Sequence, residues 1–216
     1  MKTLFVPKIN VSALDAGMLP GIFDERQIGF EPLVNVNWQE YPYLPAVGFR
    51  LGHTGKDILI QYSVMEATVR AEVGEDNGPV WEDSCVEFFV APQKEGIYYN
   101  IECNSTGHLL LGAGKDRKSR IRAEQKILDG ILRWSSLGTG DFQERIAPAE
   151  WTVCLVIPVS CLFLSVGTTL EGQSMYGNFY KCGNRQLIPH YLSWNPIHLE
   201  KPDFHCPDFF GKILFE

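Results

Sequence analysis

Two carboxylates, Glu87 and Glu102, and two tryptophans in polar turns, Trp81 and Trp194, are the residues of this 216-residue chain whose type and setting could do chemistry. The acids fall in two alternating segments within residues 83–106 that flank the turn Pro92–Gly96. Pairing Val86 with Cys103, Phe88 with Ile101 and Val90 with Tyr99 gathers the apolar partners on one face, leaving Cys85, Glu87, Phe89, Asn100, Glu102 and Asn104 on the other. A slip of one residue would bury the acids and expose the apolar set, so the register is strongly specified. Glu87 then stands opposite Glu102 with Cβ atoms about 4.5–5.5 Å apart, where like charges repel unless a cation, a shared proton or a basic side chain intervenes. Three chemistries fit such a pair. It could be the acid and nucleophile of a retaining glycosidase, which needs carboxyls about 5 Å apart, although neighbours on one hairpin face cannot easily reach opposite sides of a scissile bond. It could be a structural pair bridged by Arg120 or Arg122, or it could hold calcium or another hard cation.

Trp81 lies in Pro79-Val80-Trp81-Glu82-Asp83 and Trp194 in Leu192-Ser193-Trp194-Asn195-Pro196. An indole on a loop beside carboxylates and amides is what a sugar requires, because the apolar ring face stacks on the aromatic while hydroxyls bond to polar groups at its edge. The alternative is that either indole caps the end of the fold. Trp151 opens an alternating strand and is expected in the core.

Other chemistries have no support. The chain lacks Gly-x-Gly-x-x-Gly, Gly-x-x-x-x-Gly-Lys, His-Glu-x-x-His, Gly-x-Ser-x-Gly and Cys-x-x-Cys, so nucleotide binding, zinc hydrolysis and standard esterase chemistry have no basis in the sequence. Its five histidines (His53, His108, His190, His198, His205) share no metal-ligand spacing. Nineteen basic against 26 acidic residues give a net charge of −7, which argues against nucleic acid or a membrane surface as partner. No apolar run approaches a spanning helix and the N-terminus does not resemble a secretory leader, so a cytoplasmic protein is expected from the sequence as written, or an extracellular or periplasmic one if a leader was removed. Six scattered cysteines read as buried free thiols.

The elements that must position these residues are mostly strands. Period-two alternation predicts a hairpin of Val47–Leu51 and Asp57–Val64 joined through His53-Thr54-Gly55-Lys56, and strands at Thr68–Val73, His108–Gly112, Ile131–Ser135, Trp151–Ile157, Asn178–Cys182 and Lys212–Phe215. Helical periodicity is confined to Ser12–Met18 and Ala123–Leu128. The pattern predicts an all-β chain, an antiparallel β-sandwich with short helical insertions, forming one domain over residues 1–216 with residues 1–45 as an N-terminal extension packed on it.

Several blocks, in order, resemble the family 9-like carbohydrate-binding proteins, which are related to the DOMON-type sandwiches. They are Trp81-Glu82-Asp83-Ser84-Cys85-Val86-Glu87-Phe88-Phe89, Tyr98-Tyr99-Asn100-Ile101-Glu102-Cys103-Asn104, Trp151 through Pro158, Gly177-Asn178-Phe179-Tyr180-Lys181-Cys182-Gly183, His190-Tyr191-Leu192-Ser193-Trp194-Asn195-Pro196 and Asp203-Phe204-His205-Cys206-Pro207-Asp208-Phe209-Phe210-Gly211. The resemblance runs from about residue 45 to the C-terminus and implies a jelly-roll-like sandwich that binds sugar, works in polysaccharide metabolism and commonly carries structural calcium. It implies a tryptophan clamp at a glycan end, with Trp81 as one wall and Trp194 as the other, and Glu82, Asp83, Asn178 and Lys181 as polar contacts. The expected function is non-catalytic binding of an oligosaccharide. A glycoside-processing enzyme using Glu87 and Glu102 is the alternative, and an assembly module whose aromatics meet protein is a third reading.

Overall fold

In the computed structural model, which describes residues 1–11, 13–165, 167 and 169–216, the hairpin bearing the two acids lies at the centre of the larger of two facing sheets. Its register is the one the alternation demands: Val86 pairs with Cys103, Glu87 with Glu102, Phe88 with Ile101 and Val90 with Tyr99. Among the described residues this sheet runs Thr3–Val6, Gly211–Phe215, Ser174–Cys182, Cys85–Ala91, Tyr98–Asn104, Leu109–Gly114, Ile121–Arg122, with Tyr191–Ser193 and Asn35–Val36 branching from Ser174–Cys182. The second sheet runs Leu132–Ser135, Ala149–Pro158, Asp57–Glu66, Ala46–His53, Glu31–Pro32. Its predicted hairpin turns where expected, with Gly55 at φ +96, a left-handed conformation that glycine adopts without steric cost.

The two sheets enclose a core in which Phe179 stacks on Phe49 and Phe88, with ring centroids 3.7 and 4.7 Å away, and Trp194 meets Phe49 and Phe179 edge-on. Each such ring withdrawn from water contributes about 1.5–3 kcal/mol. The outer faces are covered too. The helix Leu19–Glu25 lays Leu19 and Phe23 on Leu59, Cys154 and Val156 of the smaller sheet, and Ile197, Phe204 and Phe210 cover Cys85, Phe89, Tyr98 and Tyr180 of the larger one. Strands buried on both faces read as continuous apolar runs, which is why Cys85–Ala91 and Leu109–Gly114 show little exposed patterning. All six cysteines are free and five are buried.

Every predicted strand is present, with bounds shifted by a few residues. The strands that the alternation did not show are short ones, such as Glu31–Pro32, Asn35–Val36 and Phe142–Arg145, too brief to establish a period. The expected helix over 12–18 is displaced: a 3-10 turn at Ala16–Met18, capped by the Asp15 carboxylate accepting from Gly17 N at 2.8 Å, runs into the α-helix Leu19–Glu25. Ser12 lies outside the described residues. Pro20 and Gly21 make that helix look like a turn, yet proline is tolerated in a first helical turn. Residues 1–45 supply Thr3–Val6, Glu31–Pro32 and Asn35–Val36 to the two sheets.

Candidate functional site

The outer face of the larger sheet carries a cleft over the acid hairpin. Its volume of about 220 Å³ lies over Glu87, Phe89, Asn100, Glu102 and Cys182, walled by Trp81, Asn184, Tyr191, Pro202–His205 and three arginines, Arg117, Arg120 and Arg122. Sites for drug-sized ligands run to roughly 300–1,000 Å³, so this one suits a polar molecule of about one ring.

Trp81 is half-buried in the wall, and among the described residues no other aromatic ring stacks on it. It sits in the 3-10 turn Val80–Glu82, which is held from both ends. Asn184 N donates to the Trp81 carbonyl at 3.2 Å and Arg185 N to the Glu82 carbonyl at 3.0 Å. Behind the turn, the fully buried Asp83 accepts from Glu72 N, Val73 N and Asn104 Nδ2 at 2.9–3.0 Å, and Arg70 Nε stands 3.3 Å away. The anchor therefore fixes the indole's position on a short, otherwise pliable segment.

The acid pair is resolved by burial and by an amide. Glu87 is sealed at the base of the cleft, where Cys182 Sγ donates to its Oε1 at 3.0 Å; loss of hydration, then the neighbouring thiol and Glu102, push its carboxyl well above the usual range. Glu102 is also pushed up by burial, an effect opposed by Asn100 Nδ2, which donates to Oε1 at 2.7 Å, and by the arginines. Its other oxygen, Oε2, is buried with no partner. A direct bridge by Arg120 or Arg122, one of the three readings of the pair, does not form among the described residues. Arg120 instead binds the Asn100 side-chain oxygen and the carbonyls of Tyr98 and Gly112, so the guanidinium acts on Glu102 through Asn100.

Of the six side chains expected to contact ligand, Trp81 alone lines the cleft. Glu82 pairs with Arg185 at 3.1 Å and takes no part in the wall. Asp83 is consumed by the turn anchor. Asn178, with no exposure, accepts from Phe179 N and Asn195 N and donates to the Asn195 carbonyl, tying its strand to the covering segment. Lys181 is also wholly buried, between the sheets, donating to Glu66 Oε2 at 2.9 Å, to His190 Nε2 at 2.8 Å and to the Cys182 carbonyl. The alternation held the signal: Lys181 is two residues from core Phe179 and shares its face. Trp194 is 1% exposed and donates from Nε1 to Glu31 Oε2 at 3.1 Å, so it cannot form a second wall. The resemblance did not carry these contacts over: Asp83, Asn178, Lys181 and Trp194 point into the fold, and Glu82 turns to Arg185.

Arg117, Asn184, Tyr191 and Pro202–His205 are cleft residues that the sequence did not single out as a site. Burial, reinforced by the three arginines, lowers His205 to about 3, so the ring is neutral and shares a 3.0 Å hydrogen bond with the Tyr98 hydroxyl.

Calcium does not suit Glu87 and Glu102. It takes six to eight oxygen ligands, whereas here the Cys182 thiol donates to Glu87 Oε1, the Asn100 oxygen is held by Arg120 and three guanidiniums share the wall. Ligand atoms of Cys85, Glu87 and Cys182 lie within 4.8 Å of one another, a sulfur-rich grouping alien to calcium.

Comparison with known proteins places this architecture. The family model for carbohydrate-binding family 9 matches residues 17–215. A crystal structure from Bacteroides uniformis ATCC 8492, provisionally assigned as a carbohydrate-binding protein, is 49% identical with a TM-score of 0.98, covering 100% of this chain and 99% of that one. A family 9 carbohydrate-binding module from Caldicellulosiruptor kristjanssonii in complex with glucose has a TM-score of 0.64 at 12% identity, covering 100% of this chain and 96% of that one. The same organism's module in complex with cellotriose has a TM-score of 0.64 at 11% identity, covering 100% and 94%. At those identities the likeness is one of fold. No curated protein matches the chain.

Proposed function

The chain belongs to carbohydrate-binding family 9, and from that membership we propose that it binds a saccharide without transforming it, in the cleft beside Trp81. The observation that carries the reading is one cleft that sets the half-buried Trp81 indole beside polar side chains. A pyranose presents an apolar ring face to the first and hydroxyls to the second. Asn184, Tyr191 and His205 add polar groups at the rim. The acids are poorly arranged for hydrolysis, since they rise side by side from adjacent strands of one sheet face and cannot flank a glycosidic bond. The relatives bound to glucose and cellotriose support a ligand of this class.

Calorimetric titration of the protein and its Trp81→Ala variant against a glycan panel tests this. Truncating a stacking indole in a shallow cleft is expected to cost about 1–3 kcal/mol of binding. Unchanged binding by the variant would refute the assignment to this cleft.

A further inference from the structure

We propose that the saccharide taken by this cleft is an acidic one, a pyranose carrying a carboxylate or sulfate that the three arginines receive; the inference rests on the cleft being the sugar site. Arg117, Arg120 and Arg122 come from one short stretch after the strand Leu109–Gly114, and all three line the cleft. Among the described residues only Arg117 has a carboxylate partner. Arg120 spends its hydrogen bonds on neutral acceptors, the carbonyls of Tyr98 and Gly112 at 3.0 Å and the Asn100 amide, while its guanidinium lies 4.1 Å from the Tyr98 ring centroid and its buried Nε is unpartnered. Arg117 stands 3.7 Å from Asp203, a loose pair with 66% and 33% of the two side chains exposed. Arg122 makes no ion pair among the described residues.

The cleft's acids offset this charge only in part. Burial pushes the Glu87 and Glu102 carboxyls up, and Asp203, the third acid of the wall, stands beside Arg117 alone. The concentration of cations is also local, since the chain as a whole carries −7. A protein of that charge repels acidic polymers everywhere except where guanidiniums gather, and guanidiniums pair bidentately with planar carboxylates as well as with sulfate. Trp81, half-buried in the wall, then takes the ring face.

The test titrates glucose, glucuronic acid, galacturonic acid and sulfated glucose into the protein at low and high ionic strength, and repeats this for Arg117→Gln/Arg122→Gln, whose positions are exposed and whose loss leaves the packing intact. Acidic sugars are expected to bind about tenfold or more tighter than glucose at low salt, the gain from charge-assisted hydrogen bonds, with the advantage shrinking as salt screens it. In the double variant the acidic-to-neutral ratio is expected to fall toward one, and the uronic acid and sulfate arms separate the two sources of charge. An Arg122→Lys variant that keeps part of the preference supports a charge effect over a change in shape. Glucose binding as tightly as its acidic counterparts in the unaltered protein, with that binding lost in Trp81→Ala, overturns this inference and leaves the cleft assignment standing. A preference that survives in the double variant also overturns it. Failure of every sugar to bind would remove both.

Discussion

Lys181 Nζ lies 2.9 Å from Glu66 Oε2 with both side chains fully buried, and Trp151 Nε1 donates to the other Glu66 oxygen at 2.7 Å. This closes one end of the space between the sheets with an ion pair in place of apolar packing. Removing one partner leaves the other charge buried and uncompensated, which in comparable settings costs about 3–5 kcal/mol. Lys181→Met is therefore expected to lower unfolding free energy by about that much, and Lys181→Met/Glu66→Leu to recover a large part of it. Urea titrations of the single and double variants measure the coupling directly; additive losses would contradict it.

Glu87 supplies a pH dependence whose sign follows from its raised carboxyl. The folded chain holds that proton more tightly than the unfolded chain, in which an ordinary glutamate titrates near 4.5. As pH rises from there through the folded value, the unfolded state is the one that releases its proton, so this group lowers stability with rising pH. Glu87→Gln removes that slope while keeping an oxygen to accept from Cys182. The variant's stability relative to the parent is expected to improve as pH rises above about 4.5, as read from urea midpoints at several pH values. Parallel profiles would show that burial does not hold the proton.

The two tryptophans are expected to separate cleanly. Trp194→Ala empties a buried volume against Phe49 and Phe179 and should cost about 3–5 kcal/mol of stability. Trp81→Ala should cost sugar affinity with a much smaller loss of stability. Denaturant unfolding and calorimetric binding on the same two variants settle the contrast, and a stable, non-binding Trp194→Ala would reverse the roles.

Asp83 is a positioning residue. Asp83→Ala strips the Glu72 and Val73 amides and the Asn104 amide of their acceptor, a loss of about 1–3 kcal/mol per group left unsatisfied in the interior. Sugar affinity is expected to fall as the Val80–Glu82 turn loosens, and to return in part with Asp83→Asn, which keeps one acceptor oxygen. Tryptophan fluorescence anisotropy in the free protein reports the loosening independently of binding; an unmoved anisotropy would count against the anchor.

Legibility in the sequence followed how much of a signal was local. The facing of Glu87 and Glu102 was readable because Val86, Phe88 and Val90 can be matched with Cys103, Ile101 and Tyr99 as one wholly apolar face, which leaves both acids on the other. The second wall assigned to Trp194 was not readable, since Ser193-Trp194-Asn195 looks equally polar whether its indole faces solvent or, as here, the core. Calcium at the acids looked reasonable while only their charge was considered; that Arg120 takes the Asn100 oxygen and Cys182 donates to Glu87 is visible only in the fold.

By itself, the amino-acid order determined the class of fold, the pairing of the acid hairpin and the family, because alternation and contiguous motifs are properties of neighbours along the chain. Only the tertiary structure decided which polar residues meet solvent. The cleft draws on residues 81 to 205, and whether a carboxyl there is charged, bridged or orphaned depends on the burial and field created by groups far apart in sequence, which no local pattern encodes.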